Sequence, residues 1–299
     1  MTDPIFFAAH TSQRVRQLFE RRASRFGETD YLVAEIARRM FEKLAIIKIT
    51  PQRVVDAGCG HGLSSMQLQG LYPDSQVLAL DMAWQMLQQA QTNLPATASL
   101  LQRLIKRTPV PNLLQADMRH LPLKPQSLDM IFSNLAVHWV ADPGQLLKDW
   151  ASSCKTGGLV MLSCFGPDTL KELRSAYAQL GRAERINPFV DMHDWGDLLV
   201  EAGFGTPVMD MEKIIVTYDD ASKLLADVRL LGAATLPDAQ AGLKGRGYQK
   251  KLLATLESQR NTNGKLTLTY EILYGHAWKA EPRRTSRGEA IVKFEKLRP

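Results

Sequence analysis

An apolar stretch that runs straight into alternating glycines constrains this chain more than any other feature. Arg53-Val54-Val55 reads as a buried strand, Asp56-Ala57-Gly58-Cys59-Gly60-His61-Gly62 follows it, and Leu63 to Leu71 has helical periodicity. Glycines between a strand and a helix let the backbone turn tightly and approach a ligand at the helix N-terminus. Further strands are predicted over Gln76–Leu80, Asn112–Ala116, Leu128–Ser133, Leu159–Cys164, Val208–Tyr218 and Leu266–Trp278. Helical spacing recurs over Ala83–Gln91, Pro143–Cys154, Asp168–Leu180, Ser222–Gly232 and Tyr248–Arg260, and two more helices precede the loop. Asp142-Pro143 opens the Pro143 helix and Gly157-Gly158 closes it, as capping chemistry asks. This alternation predicts an α/β, Rossmann-like, doubly wound and mostly parallel seven-stranded sheet. In such sheets ligands bind beyond the carboxyl ends of the strands, where the strand order reverses.

The residues around the glycines decide what the loop holds. Asp56 stands two residues before Gly58, and a carboxylate there repels a diphosphate while suiting a ligand with ammonium and sulfonium groups. The spacing is G-x-G-x-G, with Leu63 where a dinucleotide fingerprint asks for its last glycine, and no Lys-Ser or Lys-Thr pair follows as in a P-loop. Asp81, at the end of the second strand, is placed to accept ribose hydroxyls. Asp117, directly after the third strand, suits an adenine amine, although an aspartate there also serves as a turn cap. These features point to S-adenosylmethionine. The candidate cofactor set is Asp56, Gly58, Cys59, Gly60, Gly62, Asp81, Met82, Asp117, Met118 and Asn134.

Composition narrows the rest. The 299 residues carry a net charge of +6, which makes an acidic partner worth considering. Three cysteines without C-x-x-C spacing and six scattered histidines give no disulfide framework and no metal site. No apolar run suits a membrane span and no signal peptide opens the chain, so the cytoplasm is expected, with no nucleic acid as partner. The chain divides into N-terminal helices (1–47), a cofactor-binding half (48–165), a half whose helical segments 168–200 and 220–260 are expected to cap the site (166–265), and a last strand with a tail (266–299), all within one domain. A basic insertion spans Ala98 to Pro111.

Several segments together resemble a known family. Ser133-Asn134-Leu135-Ala136-Val137-His138-Trp139, Gly166-Pro167-Asp168-Thr169-Leu170-Lys171-Glu172-Leu173-Arg174, Arg229-Leu230-Leu231-Gly232-Ala233 and the stretch from Thr269 to Trp278 are similar to the malonyl-acyl-carrier-protein O-methyltransferases of biotin synthesis. Phe19-Glu20-Arg21-Arg22-Ala23 fits that family's N-terminal helix, whereas Phe26 stands where the family commonly has Tyr. The resemblance covers roughly residues 12 to 295 and implies a class I methyltransferase acting on a free carboxylate. Mitochondrial complex I assembly factors of the same fold share the Asp-Tyr-Leu near Tyr31 and the D-T-L-x-E-L-R element, and imply arginine hydroxylation instead. A cofactor-binding module without catalysis, or a methyltransferase of another small molecule, remains open.

A carboxylate is ionised at neutral pH, so methylating it calls for no base. It does call for alignment and for a partner to the anion. Arg174 is the first candidate for that partner, with Arg22, Tyr31 or a tyrosine cage as others, and Trp139 walls the acceptor channel. His138 is expected to be structural. Lys244, Arg246, Lys250 and Lys251 form an acid-free run that an acidic acyl-carrier protein would suit, and that a solvated face explains equally.

Overall fold

A computed structural model describes residues 12–28, 30–94, 109–181, 188–231 and 246–281, the side chain of Arg246 excepted. Most of the Ala98 to Pro111 insertion, Lys244 and the tail beyond Glu281 lie outside the described residues. The strands are β1 (Arg53–Ala57), β2 (Gln76–Asp81), β3 (Asn112–Gln115), β4 (Leu128–Ser133), β5 (Cys154–Phe165), β6 (Phe204–Tyr218) and β7 (Leu266–Lys279). They form one sheet of order β3-β2-β1-β4-β5-β7-β6. β1 to β5 are parallel, and β7 runs antiparallel between β5 and β6. The order reverses between β1 and β4, so a crevice is expected at their carboxyl ends.

Strand alternation explains why both faces are covered. Val54, Met130, Phe132, Leu159 and Met161 point to one face, while Val55, Ile131, Val160 and Leu162 point to the other. All nine are at most 1% exposed, as the near-continuous apolar runs of central parallel strands require. The first face is packed by α2 (Asp30–Ile46) through Leu32, Ile36, Met40 and Leu44, and by α6 (Lys171–Gln179), α8 (Ala221–Leu231) and α9 (Arg246–Glu257). The second is packed by α5 (Pro143–Ser153) through Leu146, Leu147 and Trp150, and by α7 (Met192–Glu201) through Trp195 and Leu199. The remaining helices are α1 (Ser12–Arg22), α3 (Leu63–Leu71) and α4 (Trp84–Asn93). A 3-10 turn, Ala23–Glu28, follows α1.

Asp142 caps α5 as the sequence predicts, its carboxylate accepting from the Gln145 amide at 2.8 Å with Pro143 in the first turn. The helix does not end at Gly157-Gly158, however. It stops at Ser153 and β5 begins at once. The two glycines lie where the β4–β5 register shifts, between Leu128↔Cys154 and Met130↔Leu159. A Cβ at Gly158 would sit 2.9 Å from the Lys155 carbonyl oxygen and 3.1 Å from that of Leu128, so close backbone approach, not helix termination, explains the glycine. Among the described residues no helix is long and apolar enough to cross a membrane.

Candidate active site

A cleft of about 960 Å³, mouth included, opens at the predicted switch point. Its floor comes from the carboxyl ends of β1, β2 and β4: Asp56 and Gly58, Asp81 and Met82, Asn134 and Ala136. The loop itself is bent by left-handed glycines, with φ of +78° at Gly58, +56° at Gly60 and +84° at Gly62. Gly58 has a second constraint, since a Cβ there would lie 2.4 Å from that of Ala136. Gly62 does not line the cleft. It starts α3, and its missing side chain leaves room for Ala90.

Two carboxylates, Asp56 buried and Asp81 half-buried, brace the loop. One oxygen of Asp81 accepts from the Gly60 amide at 3.0 Å and the other from the Ala83 amide at 2.8 Å. Asp56 accepts from the Ser65 hydroxyl at 2.5 Å. Burial pushes Asp56 up to about 7, with Asp81 adding repulsion, and burial pushes Asp81 up to about 6. Both carboxyls therefore gain from a cationic ligand that holds them ionised. A carboxyl whose folded pKa is raised stabilises the free chain only at low pH, and that contribution is lost as pH rises through about 7. A cation that prefers the ionised form must bind more weakly as pH falls through the same window. The dissociation constant of S-adenosylmethionine is accordingly expected to rise several-fold between pH 8 and pH 6, and Asp56→Asn to flatten the upper part of that profile. A flat profile in the unaltered protein would contradict the assignment. The buried thiol of Cys59 is held well above its ordinary pKa by its burial and the adjacent acids, which makes it a packing element of the loop.

The other candidates divide. Cys59, Met82, Met118, Asn134 and Trp139 line the cleft. Asn134 spends its side chain structurally, donating to the Val33 carbonyl at 3.0 Å and accepting from Ser163 at 2.8 Å, which ties α2 to β4 and β5. Asp117 is off the cleft wall, with Arg119 donating to both its oxygens at 3.0 and 2.6 Å, and it is Arg119 that lines the cleft. Arg174 does not reach the cleft: its guanidinium donates to the Pro167 carbonyl at 3.0 Å, closing the turn before its own helix. Tyr31 and Arg22 also lie off the lining. Tyr31 meets the Tyr218 hydroxyl at 3.2 Å, and burial lowers the Arg22 pKa to about 10. His138 is packed among rings, 4.7 Å from Phe165 and 5.3 Å from Trp139.

The cover of the cleft differs from the expectation. No described residue of 168–200 or 220–260 lines it, whereas Ser12, Val15 and Phe19 of α1 do, with Phe26 of the following turn. Phe19 packs edge-on against Trp139 with ring centres 5.2 Å apart. Glu20 anchors the helix, its two carboxylate oxygens accepting from the Trp84 and Gln85 amides at 2.9 and 2.8 Å and thereby capping α4. An i, i+4 apolar stripe is legible in α1, yet periodicity alone does not tell a ligand wall from a core face. Glu20 caps a helix 64 positions away, and no local signal announces that.

Comparison with known proteins adds the rest. Residues 55–162 match a methyltransferase-domain family. Over nearly its full length the chain is similar to proteins described as malonyl-[acyl-carrier protein] O-methyltransferases. That of Laribacter hongkongensis is 40% identical over 290 residues, 96% of each chain. That of Gallionella capsiferriformans is 43% identical over 283 residues, covering 93% of this chain and 94% of the relative. That of Methylovorus is 42% identical, covering 90% of both. Among solved structures, the Bacillus subtilis YcgJ protein superposes with a TM-score of 0.56 at 15% identity, covering 81% of this chain and 98% of its own. A Bacillus halodurans protein described as a methyltransferase does so at 0.53 and 14%, covering 82% and 99%. These two establish the fold.

Proposed function

The chain belongs to the malonyl-[acyl-carrier protein] O-methyltransferase family, and from that premise we propose that it methylates the free carboxylate of a malonyl thioester on an acyl-carrier protein, using S-adenosylmethionine, in the cytoplasm. Full-length family membership is the observation that carries this reading. On this reading the methyl ester is an early intermediate of biotin synthesis.

The residues present fit the cofactor. The loop from Gly58 to Gly60 leaves room for close backbone approach, Asp81 would receive the ribose hydroxyls, and Asp56 would face the cationic amino-acid end. Met82 and Met118 would flank the adenine, with Asp117 near its amine once the Arg119 contact is shared. When bound, S-adenosylmethionine supplies an electrophilic methyl on a sulfonium. The protein's own work is alignment and exclusion of water. The acceptor carboxylate is already the nucleophile at neutral pH, so no side chain has to take a proton. One carboxylate oxygen gains the methyl as the carbon–sulfur bond breaks, leaving a neutral ester and a neutral thioether. Opposite charges vanish along that path, so a dry cleft favours it. Val15, Phe19, Phe26 and Trp139 provide the apolar walls.

Labelled methyl should pass to malonyl-carrier protein and not to acetyl-carrier protein, and transfer to both would defeat the carboxylate reading. For the carrier we propose docking on α9, where Lys250 and Lys251 are exposed. Reversing both charges, Lys250→Glu with Lys251→Glu, should raise KM for the carrier-linked acceptor about tenfold, as loss of rim charges weakens encounter, and leave KM for malonyl-coenzyme A alone. An unchanged carrier KM would remove this docking face.

A further inference from the structure

S-adenosylmethionine carries an anion as well as its two cations, and the acids of the cleft repel an anion. Its α-carboxylate shares a carbon with its ammonium. Whatever receives the ammonium must therefore have an anion seat beside it. Asp56 has the sign for the ammonium, and Asp81 has the same sign. The side-chain donors of the cleft wall are largely committed. Arg119 donates to both oxygens of Asp117, His61 lies 3.4 Å from Asp30, and both ends of the Asn134 amide are bonded.

The first turn of α3 is not committed. Leu63 and Ser64 both line the cleft. The intrahelical ladder starts with the Met66 amide, which donates to the Gly62 carbonyl at 3.1 Å, and no side chain caps the helix. The amides of Leu63, Ser64 and Ser65 precede that bond and so have no helical acceptor. Ser64 is 6% exposed, yet among the described residues its hydroxyl has no hydrogen-bond partner. A buried hydroxyl that faces a cleft and is left unmet calls for a ligand acceptor. Free amides and the positive end of the helix dipole favour a negative charge at the same point. The next side chain fixes how near this turn is to Asp56. The Ser65 hydroxyl donates to the Asp56 carboxylate at 2.5 Å, so an acid and a set of free donors stand on one turn. That pairing matches the ammonium and the carboxylate of an α-amino acid.

We propose that the first turn of α3, through the Leu63 and Ser64 amides and the Ser64 hydroxyl, is the seat of the cofactor's α-carboxylate. The inference rests on the cofactor reading above and adds the contact that selects a ligand with a whole amino acid over one with an ammonium alone. Decarboxylated S-adenosylmethionine, which keeps the sulfonium and the ammonium, is the probe, and calorimetry reads the dissociation constants. The unaltered protein should bind it about 100-fold more weakly than S-adenosylmethionine, the loss expected for two or more hydrogen bonds to a charged group. Ser64→Ala should weaken S-adenosylmethionine about tenfold and leave the decarboxylated ligand within twofold. Its Tm should hold or rise, because an unpartnered hydroxyl gives way to a better helix former. Ser64→Asp sets a negative charge against the ligand's own and should reverse the preference between the two ligands. Equal affinity of the unaltered protein for both ligands overturns the seat, whatever the variants do. So does a Ser64→Ala variant that weakens both ligands alike, as a merely structural hydroxyl would, or that holds S-adenosylmethionine within twofold. An unaltered protein that binds neither ligand overturns the cofactor reading itself, and the seat with it.

Discussion

Asp81→Ala will raise the dissociation constant for S-adenosylmethionine by about 100-fold or more. The side chain has two jobs in one place. Its oxygens accept from the Gly60 and Ala83 amides, which fixes the glycine loop to the start of α4, and the same carboxylate faces the cleft where the ribose belongs. Alanine leaves those amides without their acceptor at a desolvated site, a loss of about 1–3 kcal/mol for each group. It also removes a charged acceptor for the ligand's hydroxyls, worth about 1.5–3 kcal/mol. Even a partial sum of about 3 kcal/mol corresponds to two orders of magnitude in affinity. Asp81→Asn should fall between, because an amide presents an NH2 where the loop needs one of two acceptors. Titration by calorimetry checks both, and a dissociation constant within threefold for Asp81→Ala would show that the carboxylate does not hold the ligand.

Gly58→Ala is the second large effect, and it acts on the fold as well as on the site. The backbone there has φ of +78°, a conformation that costs a side chain about 1–3 kcal/mol. The added Cβ would fall 2.4 Å from the Ala136 Cβ, which is fixed to the backbone after β4 and has no rotamer to yield. Overpacking of this kind costs about 1–3 kcal/mol more. Together these predict a Tm lower by about 5 °C or more, together with loss of cofactor binding. Gly60→Ala is the control. Its φ is also positive, at +56°, but nothing lies within 4 Å of the Cβ it would gain, so only the conformational cost applies. Equal losses at the two positions would mean that close packing against Ala136 is not what excludes a side chain.

The pair illustrates what the sequence carries and what it does not. The strand, the glycines and the acids at the ends of β1 and β2 are local in the chain, and of the residues the sequence picks out, Asp56, Gly58, Gly60, Asp81, Met82 and Met118 line the cleft. The contact between Gly58 and Ala136 joins residues far apart in sequence, and no spacing rule reports it. The same limit explains Arg174. It lies in a family-like segment on an amphipathic helix, but the direction of its guanidinium depends on the turn at Pro167, which it closes. It explains the cover too. Val15 and Phe19 form a stripe that would look the same facing a core, and only the folded chain sets α1 against Trp139. Gly157-Gly158 imitates a helix stop because a glycine pair after a helix usually is one. Here the register shift between β4 and β5 uses it instead.

A chain with this loop can methylate many things, so the acceptor decides the function. Intact-mass measurement of malonyl-carrier protein after incubation with this protein and S-adenosylmethionine tests the acceptor assignment most directly. Malonyl-carrier protein should gain the mass of one methyl group, and acetyl-carrier protein treated in parallel should not change. Malonyl-carrier protein that stays unmodified, or an acetyl-carrier protein that gains the same mass, would contradict it.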